Sequence, residues 1–196
     1  MIKKIGIDLD NTLIDYSIPI NFFSSKILKR NKTSKDKIKK YLIKNFGENK
    51  WTEAQEEIYG NLISKAKLFS FCRACLKFLN SEKFDIYIIS HKTKKSEFSL
   101  KYDLRKQARI WIKKNLKGLI KEKNVYFCDT IEQKVRLINQ NKFIYFIDDL
   151  PKILLHKKIE KKSFKILFSK KKNKKLKSID NWKKILLYLK QHAKNK

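Results

Sequence analysis

Short apolar runs alternate with amphipathic segments along most of this chain. Five runs rich in Ile, Val, Tyr and Phe predict β-strands, and they lie at residues 2–9, 85–89, 125–128, 143–147 and 164–168. Helical patterns separate the later runs. One covers residues 101–116, and the other is predicted to be capped by Thr130 and Gln133 and to run to about Asn139. A further amphipathic helix is predicted at 182–189. This alternation indicates βαβ units and therefore a parallel α/β sheet.

Between the first two predicted strands the periodicity is helical instead. Three apolar stripes at helical spacing predict about three helices and no clear strand over residues 20–82. The stripes are Ile38, Tyr41, Leu42 and Phe46; Ile58, Tyr59, Leu62 and Ile63; and Phe71, Cys75, Phe78 and Leu79. Thr52 and Gln55 have the spacing of a capping box, which would start the second helix near Trp51.

Composition excludes several classes of protein. Hydrophobic residues make up 42% of the 196 residues, and there are 4 Gly and 2 Pro, which argues against disordered, collagen-like and Pro-rich chains. No apolar run approaches membrane-spanning length and no signal peptide is evident, so we expect a cytoplasmic protein with no membrane partner. Cys72 and Cys75 form a CxxC pair without a second pair, so these two and Cys128 are expected to be buried thiols.

The net charge is strongly positive. Lys and Arg number 49 against 19 Asp and Glu, a formal +30, but only 5 of the 49 are Arg. Residues 157–177 hold 11 Lys and a single acid, Glu160. A solvated Lys-rich face produced by compositional bias and a polyanion-binding face both fit this pattern, because nucleic-acid readers use Arg for bidentate contacts. Both interpretations stay open.

Polar side chains gather where the predicted strands end. Asp8 and Asp10 follow the first strand, Ser90 follows the second, Lys134 lies on the helix after the third, and Asp148-Asp149 follow the fourth. In an open α/β sheet these strand ends meet at one rim, where ligands bind. Clustered carboxylates without His or Cys favour Mg²⁺, and a Ser and a Lys can hold phosphoryl oxygens. One Asp can attack phosphorus while another, two residues away, transfers protons.

These segments resemble four motifs of the haloacid dehalogenase-like superfamily. The segment Ile5 to Leu13 is similar to its first motif, an apolar strand followed by DxDxT. Ile88-Ile89-Ser90 resembles the second motif, Lys134 the third, and Phe146-Ile147-Asp148-Asp149 the fourth. The resemblance implies a Rossmann-like three-layer sandwich with a parallel sheet, formed by residues 1–16 and 83–196. It also implies a small all-helical cap at residues 17–82, inserted after the first strand.

The resemblance also implies a role for each matching residue. Asp8 would be the nucleophile and a Mg²⁺ ligand, and Asp10 the general acid/base whose carbonyl also binds the metal. Thr12 would orient the loop, and Ser90 would bind the phosphoryl group. Lys134 would stabilise the transition state and Asp8. Asp148 would bind Mg²⁺ directly, and Asp149 would act through water or by pairing with Lys134.

Some of these assignments have competitors. Lys134 is one of 44 Lys, and Lys92 is its main rival because it follows Ser90 closely; Lys142 is too near the fourth strand. We expect Asn11, His91 and Lys92 to contribute to phosphate or substrate binding. Ser90 could instead be a helix N-cap, or play both roles, and Asp10 could be only an Asx-turn residue. Trp51 either lines the substrate pocket or belongs to the core of the cap.

The sequence therefore predicts a Mg²⁺-dependent phosphatase that acts through an aspartyl-phosphate on a small phosphorylated metabolite. A phosphatase of nucleic-acid ends is the less favoured alternative, and it requires residues 157–177 to lie beside the site entrance, with Lys attracting the backbone. A phosphomutase would share the first chemical steps. A non-catalytic polyanion-binding protein would keep only the fold. Neither the substrate nor the oligomeric state can be read from the sequence.

Overall fold

The computed structural model describes residues 3–29, 34–94, 102–160 and 163–192. The chain divides into two compact units. The first consists of residues 1–14, 68–91 and 116–196, and the second of residues 15–67 and 92–115. The chain therefore leaves the first unit twice, after residues 14 and 91, and each unit is assembled from segments distant in sequence.

A six-stranded sheet forms the centre of the first unit. Its strands are β1 (Lys3–Ile7), β4 (Phe84–His91), β5 (Val125–Cys128), β6 (Tyr145–Asp148), β7 (Phe164–Phe168) and β8 (Lys177–Ile179). They are all parallel, in the order β5-β4-β1-β6-β7-β8. The chain winds outward in one direction through β4 and β5 and in the other through β6, β7 and β8. The order thus reverses between β1 and β6, which is where ligands bind in doubly wound folds.

Helices cover both faces of this sheet, as a three-layer sandwich requires. Helices α6 (Ile131–Asn141) and α7 (Pro151–Leu154) pack over a core that includes Ile89, Phe146 and Leu167. Because side chains alternate along a strand, Ile86 and Ile88 of β4 point to the opposite face. Helices α4 (Cys72–Ser81) and α8 (Trp182–His192) pack against each other, and α4 contacts β4. The predicted α/β sandwich with a parallel sheet is confirmed.

Two local features show why these residues form the sheet and its helices. Gly6 lies in β1 where a Cβ atom would be 2.5 Å from a ring carbon of Phe146, so only glycine allows the strand and this ring to approach so closely. Helix α6 is capped as predicted, because the Thr130 hydroxyl accepts a hydrogen bond from the Gln133 N–H at 3.1 Å.

Four of the described α-helices belong wholly or largely to the second unit: α1 (Ser17–Leu28), α2 (Lys35–Phe46), α3 (Glu48–Tyr59) and α5 (Leu104–Leu116). The predicted capping box at Thr52 and Gln55 is wrong, because α3 begins at Glu48 and the Thr52 hydroxyl donates to the Glu48 carbonyl inside the helix. Trp51 is buried within this unit. Trp111 of α5 donates to the Ala66 carbonyl at 3.0 Å, which ties the two chain segments of the unit together.

The observed division differs from the predicted boundaries of 17–82 for the helical insertion. Helix α4 belongs to the first unit because Cys72, Cys75, Leu76 and Leu79 form a buried face on it. Residues 92–115, predicted to be part of the core, lie in the second unit instead. The stretch 20–82 also contains a strand: β3 (Lys67–Leu68) pairs with β2 (Ile14–Asp15) in a separate two-stranded sheet.

The three cysteines are free and buried, as predicted. Burial raises the pKa of the Cys75 thiol to about 12 and that of Cys72 well above its usual value. Thiols that stay protonated at neutral pH are poor nucleophiles and metal ligands, so Cys72 and Cys75 act as small core side chains. Among the helices that the structure describes, none has the length and apolar composition needed to cross a bilayer.

Candidate active site

The loop after β1 is a compact turn that holds Asp8 at the carboxyl end of the strand. The Asp8 N–H donates to the Ile147 carbonyl of β6 at 2.9 Å, which extends the pairing of the two strands. The N–H groups of Leu13 and Ile14 then return to the Leu9 carbonyl at 3.0 and 2.9 Å. Asn11 has a φ of +60°, a left-handed conformation that Asn tolerates better than most residues. The turn thus explains the Asn at this position.

Asp8, Lys134 and Asp148 form a buried ionic cluster. The Lys134 ammonium lies 2.6 Å from Asp8 Oδ1 and 2.7 Å from Asp148 Oδ2. The side chains of Lys134 and Asp148 are 1% and 0% exposed, so water screens these charges little. Lys134 reaches the cluster from the first turn of α6, after Thr130. The structure thus brings together three of the predicted residues from three distant chain segments.

The charges in the cluster perturb one another. Burial raises the pKa of Asp8 well above its usual value, and the nearby carboxylates of Asp148 and Asp149 raise it further, while Lys134 opposes both effects. Burial alone would lower the pKa of Lys134, but the carboxylates of Asp8 and Asp148 outweigh it and raise that pKa. The carboxylates carry more negative charge than one ammonium balances, so a further cation would be favourable here.

Three carboxylates of the cluster could hold that cation. Asp8, Asp148 and Asp149 each offer one oxygen, and these oxygens lie within 4.8 Å of one another. Two oxygens on opposite sides of a Mg²⁺ ion are about 4.2 Å apart, so a small side-chain movement would suffice. The Leu150 N–H donates to Asp148 Oδ1 at 2.8 Å and fixes that carboxylate. Asp10 does not contribute a carboxylate oxygen to this group, which leaves its predicted contribution through the backbone carbonyl.

Ser90 lies near the carboxyl end of β4, beside β1. Its side chain is buried, and its hydroxyl has no hydrogen-bond partner among the described residues. A buried hydroxyl of this kind is costly unless a ligand or water satisfies it. Ser90 lies within β4 in the structure, so the alternative that it caps a helix is wrong.

The other two predicted substrate contacts lie in different surroundings. His91 is exposed, and its Nε2 lies 3.0 Å from the Asp129 carbonyl at the end of β5. Lys92 begins the second segment of the second unit, where its ammonium lies 5.2 Å from the centre of the Tyr59 ring. Its carbonyl accepts a hydrogen bond from Arg105 at 2.8 Å. The ammonium that pairs with Asp8 is therefore that of Lys134, and the substrate contacts of His91 and Lys92 stay predictions.

Sequence reasoning missed a residue that supports the loop. The indole N–H of Trp182, at the start of α8, donates to the Thr12 carbonyl at 2.8 Å, and its side chain is fully buried. The Thr12 hydroxyl in turn donates to Asp8 Oδ2 at 3.4 Å. Trp182 thus fixes the turn that positions Asp8. A Trp at the start of an amphipathic helix usually indicates a residue that packs in the core. Nothing in the local sequence indicates its hydrogen bond to Thr12.

Comparisons with known proteins agree with this architecture. No family model matches the chain, and no curated protein matches it. Several solved structures, however, are similar to this chain. A haloacid dehalogenase-like hydrolase from Streptococcus pneumoniae is 16% identical with a TM-score of 0.61, covering 96% of this chain and 98% of that one. YfnB from Bacillus subtilis, described as a HAD-type hydrolase and solved bound to magnesium, is 10% identical with a TM-score of 0.60, covering 96% and 98%.

A predicted phosphoglycolate phosphatase from Haemophilus somnus is also similar, with 13% identity and a TM-score of 0.55 over 95% of this chain and 97% of that one. All three matches extend over nearly the whole length of both chains, so the likeness includes residues of both units and not only those of the sheet. At these identities the likeness establishes the fold: the chain has the haloacid dehalogenase-like fold, as its sequence motifs implied.

Proposed function

We propose that this protein is a Mg²⁺-dependent phosphomonoester hydrolase that acts through an aspartyl-phosphate on Asp8. The observation that carries the proposal is the buried cluster in which Lys134 bridges Asp8 and Asp148 at 2.6 and 2.7 Å. The likeness to the phosphatase and to the magnesium-bound hydrolase supports the same chemistry.

The metal would be held by Asp8, Asp148 and Asp149, with the Asp10 carbonyl as a further ligand. These donors are all oxygens, which suits Mg²⁺, and the excess of negative charge around them suits a divalent cation. When bound, the metal supplies positive charge to the phosphoryl oxygens. Its presence would also lower the pKa of Asp8, which burial otherwise raises, and so keep the nucleophile ionised.

In the first step a carboxylate oxygen of Asp8 bonds to phosphorus as the phosphorus–oxygen bond to the substrate alcohol breaks. Asp10, two residues away on the same turn, gives its proton to the departing alkoxide. Lys134 and the Ser90 hydroxyl stabilise the charge on the phosphoryl oxygens during transfer. The Lys134 ammonium suits this task because neighbouring carboxylates keep it protonated.

In the second step Asp10 takes a proton from water as the water oxygen attacks the same phosphorus. The bond between phosphorus and the Asp8 carboxylate breaks, which releases inorganic phosphate and restores both Asp residues. A phosphomutase would use a substrate hydroxyl in place of this water, so release of inorganic phosphate distinguishes the two reactions.

We propose further that the second unit is the cap that excludes water from the site and selects a small phosphorylated metabolite. Its two segments begin close in sequence to the site residues: residue 15 lies five positions after Asp10, and residue 92 two positions after Ser90. Movement of such a unit would thus act on chain segments that carry the chemistry.

A phosphate-release assay tests the reaction. Purified protein is incubated with an aryl phosphate and a panel of sugar phosphates, nucleotides and phosphorylated oligonucleotides, with Mg²⁺ or with EDTA. We expect turnover only with Mg²⁺, none for Asp8→Asn, and full turnover for the matched control Asp36→Asn, whose side chain is exposed on α2. Turnover that survives EDTA, or that survives Asp8→Asn, would refute the proposed mechanism.

A further inference from the structure

The β8 edge of the sheet carries a basic cavity separate from the ionic cluster. It has a volume of about 410 Å³ and lies between β8, the loop that precedes it and α8. Its charged lining consists of Lys170, Lys172, Lys177, Lys184 and Asp180. We call this cavity the edge groove. Four ammonium groups against one carboxylate give it a net positive charge, and Asp180 pairs with Lys184 at 2.9 Å.

The edge groove lies a short distance along the sheet from the candidate active site. The strand register places Asp148, Leu167 and Ser178 in one row across β6, β7 and β8. Neighbouring strands are about 4.8 Å apart, so Ser178 of the groove is about 10 Å from Asp148. Because the strands are parallel, Lys170, just after β7, and Asp180, just after β8, lie at the same rim as the site.

Hydrogen bonds hold the loop that carries Lys170 and Lys172. The Ser169 N–H donates to the Ile179 carbonyl at 3.0 Å, and the Ser169 hydroxyl accepts from the Lys171 N–H at 3.0 Å. Further along, the Ser178 hydroxyl accepts from the Asn173 N–H at 3.0 Å. These contacts tie the loop to β8, so its lysines project from an ordered backbone and lose less conformational freedom on binding an anion.

The far wall of the groove combines charge with an aromatic ring. The Lys177 ammonium lies 5.4 Å from the centre of the Tyr188 ring on α8. This contact holds one lysine at the wall while its charge stays available to an anion. Compact, strongly hydrated ammonium groups bind phosphate as point charges and need none of the planar geometry that Arg offers.

We propose that the edge groove binds a phosphate group of the substrate other than the one that reacts. The inference deepens the proposed function, on which it rests for the position of the reacting phosphate at Asp8. Asp8 follows β1, three strand spacings of about 4.8 Å from β8, so the substrate would then carry at least two phosphates separated by on the order of 10 Å. A small polyphosphorylated compound and a nucleic-acid strand both offer this chemistry. Lys170, Lys172 and Lys177 of the groove belong to residues 157–177, the stretch that the nucleic-acid alternative requires beside the site entrance.

The test measures binding without hydrolysis, so its failure is distinct from failure of the proposed reaction. Two probes are used: inorganic tripolyphosphate, and a labelled single-stranded oligonucleotide that has hydroxyl groups at both ends and is therefore no phosphomonoester. Affinities are measured in EDTA at several salt concentrations. The groove variant replaces Lys170, Lys172 and Lys177 with Gln. The matched control replaces Lys77, Lys117 and Lys123, which are exposed elsewhere on the first unit.

The groove variant should bind at least one probe more weakly, whereas the control variant should match the wild type. For the oligonucleotide, loss of three phosphate contacts should make the slope of log affinity against log salt concentration less steep by about 2. Lowering the salt from 1 M to 0.1 M should then strengthen binding of the groove variant about 100-fold less than binding of the wild type. If the groove variant loses affinity only for tripolyphosphate, the substrate is a small molecule. If it loses affinity for the oligonucleotide, the substrate is a nucleic acid. Equal weakening in both variants, or none in either, would overturn the proposal.

Discussion

Replacing Lys134 with Met should destabilise the protein strongly when no metal is bound. The ammonium lies 2.6 Å from Asp8 and 2.7 Å from Asp148, and its side chain is 1% exposed. The substitution preserves most of the side-chain volume but leaves two buried carboxylates without the cation between them. Removal of one partner from a buried ion pair costs about 3–5 kcal/mol. For a chain of this length we expect a melting temperature about 6–20 °C lower.

The assay is thermal unfolding followed by circular dichroism in EDTA at neutral pH. Arg136→Met is the matched control because Arg136 lies on the same helix, is exposed, and loses the same charge. Its effect should stay within about 0.5 kcal/mol. If Lys134→Met melts no lower than this control, the ionic cluster does not have the described structure and the account of Lys134 fails.

The pH dependence of the same variant gives an independent check. Burial already raises the pKa of Asp8, and removal of the opposing ammonium should raise it further. As the pH falls from 7.5 to 5, Asp8 in the folded variant should take up a proton and relieve the repulsion from Asp148. The deficit in stability relative to the wild type should therefore shrink toward acidic pH. A deficit that stays constant or grows would contradict this reasoning.

Three further predictions concern the same unit. In EDTA, Asp8→Asn should become more stable relative to the wild type as the pH rises above 3.8, because the raised pKa of Asp8 in the folded state makes the wild type lose stability over that range. Urea titrations at several pH values measure the difference in unfolding free energy, and a difference that does not change with pH would refute this prediction. Adding Mg²⁺ should raise the melting temperature of the wild type much more than that of Asp148→Asn, and equal rises would exclude the carboxylate cluster as the cation site. Gly6→Ala should cost about 1–3 kcal/mol in chemical unfolding, because its Cβ would lie 2.5 Å from the Phe146 ring, and wild-type stability would contradict that packing.

The sequence predicted the sheet well where strands are buried on both faces. Runs such as Ile86-Tyr87-Ile88-Ile89 are continuous and apolar, so β4 and the strands beside it stand out from their surroundings. The edge strand β8 was missed because its three residues, Lys177–Ile179, carry no such run and lie within a Lys-rich stretch. Edge strands are exposed on one side and need little apolar surface.

The division into units could not be read from the periodicity. Helices α4 and α5 are both amphipathic, yet α4 packs on the central sheet while most of α5 belongs to the second unit. An apolar stripe shows that a helix is buried on one side, but not against which partner. The capping residues were equally ambiguous, since Thr52 has the spacing of a cap but lies inside α3.

The residues of the ionic cluster were predicted because each follows a strand or opens a helix. Lys134 is one of 44 lysines, and its position after the Thr130 cap singled it out. The contact between Trp182 and the Thr12 carbonyl joins residues 170 positions apart. Such a contact depends on the tertiary fold and not on a local pattern.

Detection of a phosphate ester on Asp8 tests the central claim most directly. The Asp10→Asn variant, which should hydrolyse the intermediate slowly, is mixed with an aryl phosphate and Mg²⁺, quenched in acid within one turnover, reduced with borohydride, digested and analysed by mass spectrometry. Borohydride converts an aspartyl-phosphate to homoserine, so we predict homoserine at position 8 and at no other Asp. Release of the aryl alcohol with an unmodified Asp8, or with the modification at another residue, would contradict the account.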